Sequence, residues 1–178
     1  MDEFTRSATL ADLKLLISSL NENKADYLLI GGYALYTHGY HRATVDIDIL
    51  VPANRKAGEA IKKALMVLPD RAAADIDPEW FEEGETFRLA DEFVVDIMMN
   101  ACGETFETLS RYAETVELEG IPVRTVSLEG LLRTKQTVRD KDVSDRIILE
   151  RAMEVFKRET GKSKEREDDH DPGDDFGL

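Results

Sequence analysis

The run Tyr27–Val51, YLLIGGYALYTHGYHRATVDIDILV, constrains the fold more than any other stretch of this chain. Asp26–Ile30 reads as a short buried strand that ends at Gly31-Gly32. Tyr33–His38 has the pattern of a helix opening immediately afterwards. Thr44–Val51 is rich in β-branched residues and reads as a second strand, broken by Pro52-Ala53-Asn54. Strand, glycine step, helix and strand in so short a span commit the chain to a mixture of α and β structure.

The rest of the chain extends that mixture. Thr9 is an N-cap candidate with Asp12 three residues on, and a helix follows over Leu10–Asn21. Leu10, Leu13, Leu16, Ile17 and Leu20 recur at helical spacing, so one face is buried. A helix after Asn54 runs to about Val67, and Leu68–Glu85 reads as loop. Trp80 and Phe81 anchor that segment, with ligand stacking by Trp80 as the alternative. Thr86–Leu89 and Phe93–Met99 form a hairpin around Ala90-Asp91-Glu92. A short helix, Thr105–Tyr112, precedes a second hairpin, Thr115–Leu118 and Ile121–Thr125. Ser127 begins a helix over Leu128–Thr137. A last helix spans Lys141–Phe156, with Val143, Ile147, Ile148, Ala152 and Val155 at helical spacing. The expected class is α+β: a small mixed sheet flanked by helices.

Three carboxylates carry the chemistry. In the second strand Thr44, Asp46, Asp48 and Leu50 share one face, and Val45, Ile47, Ile49 and Val51 share the other. The aliphatic set makes a core face, so Asp46 and Asp48 project together, with Cα atoms roughly 6.5–7 Å apart. Paired carboxylates on one face can hold two magnesium ions, which prefer oxygen ligands and are completed by substrate phosphates. An isolated D-x-D is more often a polar solvent face, but Asp is depleted in strands. Asp96 adds weight, because it sits in FVVDIMM, apolar on both sides, with Val94 and Met98 on its own face. A carboxylate there needs a cation, a donor or a proton. Metal is the favoured reading; a backbone amide or an Arg is the alternative. Asp91 and Glu92 read as turn acids.

Gly31-Gly32 lets backbone approach a ligand, and the first amides of the following helix attract phosphate. No Walker A pattern is present. Arg42 and Thr44 lie just ahead of Asp46, and Arg42 either clamps phosphate or pairs with an aspartate. His38 and His41 are structural or acid–base groups, and nothing near them suggests zinc. Lys135, Arg139, Lys141 and Arg146 form a basic group. Lys135 is its best candidate for triphosphate contact, and Lys141 with Asp145 or Asp142 with Arg146 are the helix pairs that compete with that reading.

Composition narrows the function classes. A formal charge of −14 argues against broad, non-specific nucleic-acid binding. Residues 1–160 read as one domain and 161–178 as an acidic, disordered tail, in which His170 is a solvated residue rather than a metal ligand. No apolar run reaches membrane-spanning length, the N-terminus lacks a signal-peptide pattern, and Cys102 stands alone, all of which fit a cytoplasmic protein.

Taken together, LLIGGYALYTHGYHRATVDIDILV resembles the nucleotidyltransferase fold shared by polymerase-β-like enzymes. The nearer resemblance is to AbiEii-type toxin nucleotidyltransferases, with Gly-Gly-x-Ala, Arg-x-Thr-x-Asp-x-Asp, a later strand Asp, a C-terminal Lys and Arg-x-Lys-Asp. Here these are Gly31, Gly32, Ala34, Arg42, Thr44, Asp46, Asp48, Asp96, Lys135, Arg139, Lys141 and Asp142. The resemblance implies magnesium-dependent transfer of a nucleoside monophosphate from an NTP to an acceptor, with pyrophosphate released. Asp46, Asp48 and Asp96 would hold the ions, Asp96 would take the acceptor proton, and Gly31, Gly32, Arg42, Thr44, Lys135 and Arg139 would bind nucleotide. It implies an antitoxin as partner and leaves the acceptor open among RNA, protein and small molecule. The alternatives are an aminoglycoside- or lincosamide-type adenylyltransferase, whose GG…DxD pattern is similar, and an inactive nucleotide-binding module.

Overall fold

The computed structural model describes residues 5–41, 45–135, 145–156 and 158. A capping box opens α1 (Leu10–Glu22): the Asp12 amide donates to the Thr9 hydroxyl, and the Thr9 amide donates to the Asp12 carboxylate at 2.8 Å. Leu13, Leu16, Ile17 and Leu20 are fully buried, as their spacing requires. β1 (Leu28–Ile30) leads straight into α2 (Gly31–Thr37), which starts on the first glycine rather than at Tyr33. β2 (Ile47–Leu50) is shorter than the expected strand and leaves Asp46 just ahead of it. Asn54 then caps α3 (Arg55–Leu65), accepting from the Ala57 amide at 2.8 Å.

The span expected to be loop holds a 3-10 turn, Ala72–Asp75, and a short helix, α4 (Glu79–Glu83). Asp91 organises it. Its buried carboxylate accepts from the amides of Asp70 at 2.9 Å, Ala72 at 3.0 Å and Glu92 at 2.8 Å. Asp91 is therefore a brace between two loops, and more than the turn acid its position suggested. Phe81 is fully buried, and Gly58 of α3 leaves room for its ring. Trp80 remains 38% exposed and meets Phe87 edge-on at 5.4 Å between ring centres, so it is a surface neighbour of the core.

β3 (Phe87–Ala90) and β4 (Val94–Met98) make the first hairpin. α5 (Phe106–Leu109), capped by Thr105, runs into a 3-10 turn, Ser110–Tyr112. The second hairpin follows as β5 (Ala113–Leu118) and β6 (Ile121–Val126), then α6 (Leu128–Arg133) with Ser127 as its cap. A last helix, α7, covers residues 145–156. Its buried side is formed by Asp145, Leu149 and Ala152. Ile147 and Val155, expected on that side, are 45% and 48% exposed, and Val143 lies outside the described residues.

The six strands form one mixed sheet in the order β3-β4-β2-β1-β6-β5. β2 runs antiparallel to β1 and parallel to β4, β1 runs parallel to β6, and both hairpins are antiparallel. α1 packs on α3, while α2 packs on β1, β2 and α6. Ile47, Ile49 and Val51 join the core with Leu16 and Ile17 of α1 and Ile61 and Leu65 of α3, as the alternation predicts. Val45 departs from it and is 57% exposed, because it lies before the strand begins. Among the described residues, no helix is long and apolar enough to cross a membrane. The tail, 161–178, lies outside them.

Candidate functional site

Sheet register builds the site. Arg88 on β3 is the Cα partner of Asp96 on β4, Asp96 is the partner of Asp48 on β2, and Asp48 is the partner of Ile30 on β1. Neighbouring strands lie roughly 4.8 Å apart, and register partners present their side chains to one face. Arg88, Asp96 and Asp48 therefore stand in a row across three strands. Asp46, two residues before Asp48, reaches the same cleft. The opposite face of β2 carries Ile47 and Ile49, fully buried, which fixes which way the carboxylates point.

Gly31 closes the row. Its φ is +73°, a region that favours glycine. A Cβ at this position would lie 2.1 Å from Asp48 Oδ2. The glycine thus serves two needs, the turn from β1 into α2 and the room that the Asp48 carboxylate occupies.

Arg88 was not foreseen. Its Nε donates to Asp96 Oδ1 at 3.0 Å, and its Nη2 lies 3.5 Å from Asp46 Oδ2. The two carboxylate side chains are 17% and 22% exposed, while the arginine side chain is 55% exposed. The demand that Asp96 have a partner is thus met in this structure by a guanidinium. The signal lay in the hairpin: Arg88 and Asp96 have the same parity on facing strands, so one face had to carry both.

Lys135 enters from the end of α6, with Nζ 3.2 Å from Asp145 Oδ2 on α7. Both side chains are buried, at 11% and 2% exposure. Asp145 joins α7 to the site through this pair, and the Lys141–Asp145 helix pair lies outside the described residues. The cleft holds about 340 Å³, a size ordinary for a small-molecule site. Gly31, Asp46, Asp48, Arg88, Asp96 and Lys135 all line it, together with Thr86, Asn100, Cys102 and Thr134, which sequence reasoning did not single out. The Cys102 thiol donates to the Thr134 carbonyl at 3.2 Å.

Gly32, His38 and His41 are not among the residues that line the cleft. Gly32 is buried within α2. His38 Nε2 contacts the Val126 carbonyl at 2.8 Å, and His41 stacks on Tyr36 with ring centres 4.4 Å apart. Both histidines have structural partners. Arg42, Thr44, Arg139, Lys141 and Asp142 lie outside the described residues.

The donor set suits a hard divalent cation, since carboxylate oxygens from adjacent strands converge on one cleft. Magnesium needs only one or two carboxylates when substrate phosphates and water complete its shell. Among the described residues, no three acidic, histidine or cysteine side chains close around a single point.

The profile of the family described as nucleotidyl transferase AbiEii toxin, type IV toxin–antitoxin system, matches residues 14–138. Among solved structures, the antibiotic-resistance factor ANT(2'')-Ia is similar over 89% of this chain and 96% of its own, at 13% identity and a TM-score of 0.50. A candidate nucleotidyltransferase from Thermotoga maritima is similar over 89% of this chain and 92% of its own, at 18% identity and a TM-score of 0.49. No curated protein sequence matches the chain. At these identities the ANT(2'')-Ia likeness speaks to fold alone.

Proposed function

This chain belongs to the AbiEii nucleotidyltransferase toxin family, and we propose that its cleft moves a nucleoside monophosphate from an NTP to an acceptor, releasing pyrophosphate. The observation that supports the reading most is the row across the sheet: Asp48 beside Asp96, with Asp46 on the same cleft and Gly31 shaped around Asp48.

In this reading Asp46 and Asp48 would hold magnesium, with Asp96 completing the set. Bound magnesium supplies neutralisation of triphosphate charge. The chain's own residues do the rest. β2 and β4 fix Asp48 and Asp96 on a rigid sheet, so the nucleotide is positioned before reaction. Gly31 lines the cleft and leaves the room that the Asp48 carboxylate occupies. Lys135, steadied by Asp145, brings positive charge to the triphosphate. Asp96 accepts the proton of the acceptor's nucleophilic group. The acceptor atom bonds to the α-phosphorus, the bond to pyrophosphate breaks, and pyrophosphate leaves with its electron pair. Arg42, Thr44 and Arg139 are assigned to the nucleotide by the family pattern.

The family's toxin–antitoxin setting makes an antitoxin the expected partner, and NTP use puts the reaction in the cytoplasm. The test is incubation with each α-labelled NTP and magnesium against separate RNA, protein and small-molecule fractions of a cell extract. Label arriving in one fraction supports transfer and names the acceptor class. No transfer in any fraction, with no pyrophosphate formed, contradicts it.

A further inference from the structure

Arg88 has no role in the scheme above, although it touches two of its three carboxylates. It comes from β3, the edge strand, directly opposite Asp96. Its guanidinium binds Asp96 Oδ1 at 3.0 Å and approaches Asp46 Oδ2 at 3.5 Å, so one fixed positive charge spans both acids. An arginine cannot relieve the arrangement by losing its proton. A divalent cation drawn to the same oxygens meets that charge at close range and is repelled by it.

The side chain lines the cleft and is 55% exposed. An ion pair that open is weak, so it neutralises the acids without locking them. We propose, resting on the metal reading above, that Arg88 is a built-in counter-ion which competes with the divalent metal for Asp46 and Asp96. Arg88 holds the acids together in the metal-free protein and yields them when metal arrives. It is a positioning residue that sets metal affinity, and its removal strengthens metal binding.

A merely structural arginine predicts the reverse, because its loss would loosen the carboxylates. Mn²⁺, titrated without nucleotide and followed by the paramagnetic resonance of the free ion, distinguishes the two. Arg88→Met should bind Mn²⁺ about fivefold more tightly than wild type. Arg88→Lys, which keeps the charge, should bind close to wild type. The rise in melting temperature caused by Mn²⁺ should be larger in Arg88→Met. Arg88→Gln serves as a second neutral variant, with circular dichroism confirming that each is folded. Mn²⁺ binding by wild type, with equal or weaker binding in folded Arg88→Met and Arg88→Gln, overturns the role of Arg88 alone. Absence of Mn²⁺ binding in wild type overturns both this inference and the metal reading on which it rests.

Discussion

At the scale of single residues, Gly31 is the most constrained position in the cleft. Alanine there meets a positive φ, which costs about 1–2 kcal/mol, and places a methyl group on Asp48 Oδ2. Asp48 would have to leave its place beside Asp96. Gly31→Ala should therefore retain its circular dichroism, melt several degrees lower and lose NTP-dependent pyrophosphate release. Wild-type turnover in this variant would mean that the Asp48 position is not needed. The glycine was legible in the sequence as a turn, but its second reason was not, since that depends on β1 and β2 being antiparallel with Ile30 opposite Asp48. Arg88 was missed for a related reason: its importance lies in who faces it across two strands, and local sequence records only its parity.

Among elements, α1 and α7 show how side chains tie secondary structure together. The Arg6 guanidinium donates to the Asp12 carboxylate, with Nη2 at 3.0 Å from Oδ1, and holds that carboxyl below the usual carboxylate range. Burial opposes the shift, and the Thr9 amide and hydroxyl reinforce it. A carboxyl whose pKa falls on folding adds stability above its unfolded value, about 3.9, and that contribution is lost as pH drops through the folded value. Between pH 5 and pH 3, the urea midpoint of wild type should fall more than that of Asp12→Asn. Equal falls would show that the cap carries no titrating stability.

The Lys135–Asp145 pair makes the stronger case, because both side chains are buried. Asp145→Ala removes the carboxylate that meets the buried Lys135 ammonium and should cost about 3 kcal/mol in urea unfolding. The double variant Lys135→Met, Asp145→Leu should recover most of that stability yet stay inactive, which separates a structural lysine from one that binds nucleotide. Recovery of activity along with stability would leave Lys135 a purely structural role. The pair was beyond sequence reasoning because it joins the end of α6 to α7, and helical spacing records only neighbours within one helix. The inner face of α7 was misread for a similar reason. The buried Asp145, Leu149 and Ala152 define it, and counting only apolar residues passed over the aspartate.

For the whole molecule, the formal charge of −14 and the carboxylate-lined cleft act in the same direction. Both disfavour a bare polyanion, so the proposed binding of a triphosphate would call for compensating positive charge. The order of strands, β3-β4-β2-β1, is what assembles acids distant in sequence into one row. Much of this was visible beforehand, since the Gly-Gly step, the D-x-D strand and Asp96 pointed to one reaction class. The central claim is that Asp46, Asp48 and Asp96 form the catalytic centre of a nucleotidyltransferase, and pyrophosphate release tests it most directly. With magnesium, NTP and an accepting extract fraction, Asp46→Asn, Asp48→Asn and Asp96→Asn should each be folded and slower by about a thousandfold. Folded variants that release pyrophosphate at the wild-type rate would contradict the account.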